Sequence, residues 1–240
     1  MSGNRIAAIV GASMFLAGVT FATFSEMKVF LPALLNGAAV TIKIAALSAC
    51  LFTVLSIAGG AGRYSRVRAF RWIAGVYVEI FRGTSLLVQL FWLFFVLPEM
   101  GILLSPVTAA VLGIGLNMGA YGSEVVRGGI MAVPKGQWEA CTALNIPVWH
   151  MARRIIFPQA LTVSLPGIAN LTIELIKATS VVSAVTLVDI TSAAVKQNLI
   201  HYRTVEIFLA TLVLYYCLCQ IVRYSFEILE ARVTRYRGHA

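Results

Sequence analysis

Six apolar runs constrain this chain more than any single motif. They cover about Ile6 to Phe24, Ala38 to Gly60, Trp72 to Leu97, Pro106 to Val126, Leu161 to Val182 and Val205 to Phe226. A helix needs roughly 20 residues, rising about 1.5 Å each, to cross the hydrocarbon of a bilayer. Each run therefore suffices for one crossing. Charged residues make up 12% of the chain and hydrophobic ones 59%, whereas a soluble domain carries about 25% charge. One soluble core cannot hide so much apolar surface. The prediction is an all-α membrane protein of about six transmembrane helices.

The charge is +9, from 19 Lys and Arg against 10 Asp and Glu. In a membrane protein such an excess marks cytoplasmic loops, not nucleic-acid binding. Arg63, Arg66, Arg68 and Arg71 form one basic link, Lys135, His150, Arg153 and Arg154 a second, and Arg223, Arg232, Arg235 and Arg237 follow the last run. The links near residues 26, 100 and 195 are then external, and both termini are cytoplasmic. The N-terminal segment 1–28 reads as a retained span, because no A-x-A cleavage site ends its apolar run; removal as a leader would leave five spans. Residues 29–240 form the main domain. Within it, Pro32 and Asn36-Gly37 predict a short interfacial piece ahead of the second span. The polar link from Thr186 to Arg203 has room for an amphipathic helix.

Polar groups inside the spans are expensive in lipid, and they face protein or water. Glu79 and Arg82, and likewise Glu174 and Lys177, stand three residues apart on a helix face, where opposite charges can pair. Gln89, Asn117, Glu124 and Asn170 complete the candidate pathway residues. Gly115 and Gly119 make a G-x-x-x-G spacing, which lets helices approach closely and points to a helix packed within the bundle. Pro166-Gly167 predicts an irregular fifth span. Four cysteines (Cys50, Cys141, Cys217 and Cys219) and three scattered histidines make no disulfide or metal spacing.

Residues 131–158 read as two short helices joined by a sharp turn. Ala140, Ala143 and Leu144 share one face. Asn145 sits where a helix end needs a left-handed residue, Pro147 suits a first helical position, and Pro158 predicts a stop near Phe157.

The same stretch resembles the EAA loop of ABC-importer permeases, written E-A-A, three residues, G, nine residues, I-x-L-P. Glu139, Ala140, Cys141, Asn145, Ile155, Phe157 and Pro158 occupy those positions with the spacing intact. Cys141 stands for Ala, Asn145 for Gly and Phe157 for Leu. Glu79 to Gln89 is similar to the E-x-F-R-G-T-P-L-L-V-Q segment of polar amino-acid permeases (histidine, glutamine and opine types), with Ser85 replacing Pro. Ala120 to Ile130 is similar to the stretch leading into the loop, and the likeness extends over about residues 33–230.

The resemblance implies a five-helix permease core plus the extra N-terminal span, in a bacterial inner membrane. It implies a coupling loop in which Glu139, Ala140, Cys141, Ala143, Leu144 and Asn145 meet an ATP-hydrolysing subunit. Its partners would be two ATPase subunits, a second permease subunit (alike or related) and an extracytoplasmic solute-binding protein, moving polar amino acids or a related zwitterionic solute. The chain lacks a G-x-x-x-x-G-K-[ST] phosphate loop, so ATP and Mg would sit on the partner. It would carry no catalytic residue, metal or cofactor of its own. A membrane-embedded enzyme would need an acid/base, nucleophile or metal constellation, and H-E-x-x-H and G-x-S-x-G are both lacking. The alternative is a self-sufficient channel or secondary carrier, whose polar helices would look similar without need of the loop.

Overall fold

A computed structural model of the chain describes residues 11, 14, 27–65 and 67–235. The span expected over Ile6 to Phe24 lies outside the described residues except for Gly11 and Met14, as do Arg66 and Arg237. The described residues form helices and connecting turns without a strand.

Helix α1 runs from Met27 to Tyr64 without interruption. Its buried positions, among them Phe30, Leu34, Thr41, Ile44, Ser48, Phe52 and Ser56, recur every three or four residues. That is the stripe of a helix with one face on protein. Val29, Ile42, Val54 and other large apolar residues of the remaining surface are exposed, as a lipid-facing helix requires. The separate interfacial piece expected before residue 38 is not formed. Pro32 lies in the second turn, where few backbone acceptors are lost, and Gly37 serves packing. A Cβ on Gly37 would lie 2.8 Å from the Asp189 carbonyl oxygen.

Helices α2 (Arg68–Gly83) and α3 (Leu86–Glu99) replace the single third span. They meet at 103° because Thr84 and Ser85 are both extended, with ψ of 152° and 135°. A wide π turn over Trp92–Val96 lies inside α3.

Helix α4 (Pro106–Met131) has 26 residues and a length of about 39 Å. Ser105 caps it through its hydroxyl, which accepts from Thr108 N. Half of its residues are buried, so it occupies the middle of the bundle and has no need of a lipid-facing surface. Gly115 lies against Leu51 and Gly119 against Leu55 and the Tyr77 hydroxyl; a Cβ on Gly119 would meet both at 2.7 Å. The G-x-x-x-G pair therefore seats α1 on α4 within one chain.

Helix α5 (Lys135–Ala143) is the first arm of the 131–158 loop. Helix α6 then runs from Val148 to Val185, 38 residues. Neither proline interrupts it as expected. Pro158 follows a π turn over Met151–Ile156, whose wider ring accommodates the missing donor. Pro166 lies within continuous helix, and Gly167 packs on Val125. The last residues of α6, Thr179–Val185, tighten to a 3₁₀ helix. Helix α7 (Ile190–His201) fills the 186–203 link, and α8 (Thr204–Arg235) closes the chain.

Three helical segments, Val29–Tyr64, Val148–Val185 and Thr204–Arg232, are long and apolar enough to cross a membrane, and the bent α2–α3 pair qualifies jointly. These, with the central α4, carry the bundle in place of a row of uniform spans. Ile44, Phe52, Leu90, Ile114, Leu175 and Val182 form the central core. Phe30, Leu34, Ala193, Ala194 and Ile207 form the end where α7 docks. Val126, Ile130, Val133, Cys141, Met151 and Ile156 form the opposite end, where α5 docks.

Candidate functional site

The α5 end is built as an anchored side and an open side. Cys141 is 3% exposed and packs with Val133, Met151 and Ile156, backed by Trp138 and Ile146. A larger side chain there would have to displace these close-packed neighbours. The Trp138 ring also lies 5.4 Å from that of Tyr64, at the end of α1. On the open side Glu139, Ala140, Ala143, Leu144 and Asn145 are all exposed, Leu144 at 73%. The shared face expected for Ala140, Ala143 and Leu144 is present. Cys141 belongs to the anchored side, in contrast to its expected place on the contact face, because one residue further along a helix turns the side chain by about 100°. Asn145 has φ 51°, the left-handed residue expected there. Its amide donates to the Thr142 carbonyl and that of Ile146 to the Cys141 carbonyl, closing the helix end. Pro147 caps the next helix from just outside its first position.

One residue before Tyr64, Arg63 pairs with Glu124 of α4. The second oxygen of Glu124 accepts from Arg127 at 2.8 Å. Trp138, Tyr64, Arg63 and Glu124 thus form a chain of contacts from α5 through the end of α1 into the central helix. Glu124 is tied into this network by two guanidinium groups.

Two other candidates meet at the α2–α3 bend. Breaking a helix frees backbone carbonyls, which must find donors in a medium without water. The Phe81 carbonyl accepts from Asn117 Nδ2 at 2.9 Å and from Gln89 Nε2 at 3.0 Å. Asn117 Nδ2 also donates to Gln89 Oε1 at 3.2 Å, and Gln89 Nε2 to Thr84 Oγ1 at 2.6 Å. Asn117 is 3% exposed. These two amides hold the bend.

Glu79 and Arg82 are exposed on α2. The ion pair expected between them is not formed among the described residues; Arg82 stacks over the Tyr121 ring, 5.3 Å from its centroid. The pair expected between Glu174 and Lys177 is not formed either. Both are exposed, and with Asn170 and Pro166 they make one open polar stripe along α6. Lys177 also borders a cleft of about 280 Å³ lined by Tyr215, Tyr216, Gln220 and Arg223.

Asp189, within the link from Thr186 to Arg203, is fully buried. Its carboxylate caps α7 by accepting from Thr191 N at 3.2 Å and Ser192 N at 2.9 Å, and it also accepts from the Tyr215 hydroxyl at 3.2 Å. An Asp directly before an apolar helical start is a capping signal, and that signal was present. Among the described residues no His, Cys, Asp or Glu cluster suits a metal, and the four cysteines are free.

A helical membrane bundle carrying a docked, half-open loop at one end and an exposed polar stripe along a spanning helix is the architecture of a transport permease. The family of binding-protein-dependent transport system inner membrane components matches residues 53–235; the chain belongs to it and is a membrane-embedded permease. A probable amino-acid ABC transporter permease protein of Sinorhizobium fredii is 42% identical, over 85% of this chain and 88% of its own length. The L-cystine transport system permease protein TcyB of Bacillus subtilis is 36% identical, over 86% and 89%. The arginine transport system permease protein ArtQ of the same organism is 35% identical, over 88% and 96%. Among solved structures, an amino acid ABC transporter crystallised with histidines has a TM-score of 0.80 at 28% identity, covering 87% of this chain and 98% of that one. The MetNI methionine transporter, at 18% identity and a TM-score of 0.68, shares the fold.

Proposed function

We propose that this chain is the permease half of an importer for polar amino acids or related zwitterionic solutes, driven by ATP hydrolysis on separate subunits. The observation that carries the coupling role is the two-sidedness of α5. One side is locked to the bundle through Cys141 and Trp138, while the other presents Glu139, Ala140, Ala143 and Leu144 to a partner. Small residues allow close approach of that partner, and the Glu139 carboxylate can pair with a partner cation. One of the two ATPase subunits docks here, and each holds ATP and Mg²⁺ in its own site. Closure of the ATPase pair pushes α5 as a rigid lever. The push passes through Trp138 to Tyr64, and through Arg63 to Glu124, so that α1 and α4 tilt together.

The solute path lies along the open stripe of α6, where Asn170, Glu174 and Lys177 are exposed. A second permease subunit covers this stripe, since lipid would not tolerate it. Glu174 and Lys177 offer opposite charges about one helical turn apart, suited to a solute with both an ammonium and a carboxylate. The relatives named for cystine and arginine support that class. An external binding protein delivers the solute, the α5 end faces the cytoplasm of a bacterial inner membrane, and both termini are cytoplasmic.

Glu139→Lys tests the coupling role. The expected outcome is normal membrane insertion with loss of ATPase co-purification and uptake. Normal co-purification together with normal uptake would contradict it.

A further inference from the structure

The first turns of α6 carry a feature to which the coupling role proposed above assigns no part. Trp149, His150, Arg153 and Arg154 line an exposed cleft of about 230 Å³. Its frame is the π turn over Met151–Ile156, which widens the helix where the loop enters the bundle. π turns recur at functional sites. None of His150, Arg153 and Arg154 forms a salt bridge among the described residues, whereas Arg63, Arg127, Arg203 and Arg223 each have a carboxylate partner. Trp149 is 68% exposed. The buried side of the same segment is Met151 and Ile156, part of the core that anchors α5. The cleft therefore opens outward from the rim of the bundle, at the boundary between the loop and the apolar length of α6.

We infer that this cleft binds the phosphate of an anionic phospholipid headgroup, with Arg153 and Arg154 as the principal donors. Guanidinium groups present several N–H donors in a plane that matches phosphate oxygens. An indole at the membrane boundary seats its ring among headgroups and upper acyl chains. Basic clefts beside membrane helices are suited to anionic headgroups. A bound lipid would brace the hinge between α5 and α6, and so tune the stiffness of the lever. The cleft itself does not depend on which solute is carried, and the lever role rests on the coupling proposed above.

Native mass spectrometry of the full chain in detergent, offered equal phosphatidylglycerol and phosphatidylcholine, tests the site. Each basic group near an anionic lipid surface is worth about fivefold in binding. The wild type is expected to prefer phosphatidylglycerol, and Arg153→Gln with Arg154→Gln to lose about thirtyfold of that preference. An unchanged preference would overturn the proposal. Displacement of the lipid by inorganic phosphate at matching concentration would assign the cleft to a soluble anion and overturn the lipid source. Loss of ATPase co-purification by the double variant in lipid-free micelles would assign the arginines to a protein contact instead. A second measurement leaves both arginines in place. Quenching of Trp149 fluorescence, taken as the difference between wild type and Trp149→Phe, is expected with brominated phosphatidylglycerol and weak with brominated phosphatidylcholine. Equal quenching by both would overturn the site. Glu139→Lys leaves the lipid preference intact, so failure of the coupling role and failure of the lipid site are read separately.

Discussion

Glu124 is a carboxylate held by two cations from different places in the chain, Arg63 at the end of α1 and Arg127 one turn along α4. Its side chain is 21% exposed, so solvent screening limits what the pairs contribute. Glu124→Gln leaves two guanidinium groups facing each other and is expected to cost about 1–2 kcal/mol in thermal unfolding. The double variant with Arg63→Gln is expected to cost less than the sum of the two singles; strict additivity would mean the contact is idle. At the far end, Asp189 satisfies the first amides of α7 and the Tyr215 hydroxyl while fully buried. Asp189→Ala is expected to lower stability by about 1–2 kcal/mol, and Asp189→Asn to recover most of it, because Asn caps helices equally well. A melt unchanged by Asp189→Ala would contradict the capping role.

Helix α5 shows best how contacts would serve the proposed coupling. Its anchored side packs by shape, through Cys141 and Trp138, and its open side remains available for a partner. Trp138→Ala removes the ring next to Tyr64 without touching the exposed face. ATPase co-purification is therefore expected to persist while uptake falls several-fold, whereas Glu139→Lys loses both. Loss of co-purification in Trp138→Ala would show that the ring holds α5 in place and does not transmit its motion. At this scale the sequence was readable wherever one local rule acted alone. Asn145 took its left-handed turn, and the glycine pair made a close seam. It misled where tertiary packing competes with a local rule. Pro32, Pro158 and Pro166 all lie within helical segments, because helices buried on one side tolerate a lost donor when a π turn or a neighbour compensates. The bend at Thr84-Ser85 was hidden, since its two supports, Gln89 and Asn117, come from different helices. The i, i+3 charge pairs failed for a related reason. Tyr121 offered Arg82 a ring face, which spacing along one helix cannot reveal.

For the whole molecule, the apolar runs and basic links made the membrane class legible from the sequence. The loop spacing made the family legible, and the match over residues 53–235 bears it out. Which polar residues stay free was not legible. The bundle uses Asn117, Gln89 and Glu124 to hold itself together, and it leaves Asn170, Glu174 and Lys177 open along α6. An open polar stripe on a spanning helix needs a cover, and a half-open loop needs a driver. Both requirements suit the proposed assembly, in which this chain would supply the path and the lever and other chains energy and delivery.

The most direct measurement is ATP hydrolysis by the reconstituted assembly in proteoliposomes: this chain with its ATPase, second permease and external binding protein, offered polar amino acids and zwitterionic compatible solutes one at a time. The expected result is stimulation by one solute or a narrow group, only when the binding protein is present, with uptake of that solute in step with hydrolysis. Solute uptake by this chain alone, indifferent to ATP and to the binding protein, would contradict the importer role and identify a self-sufficient carrier or channel.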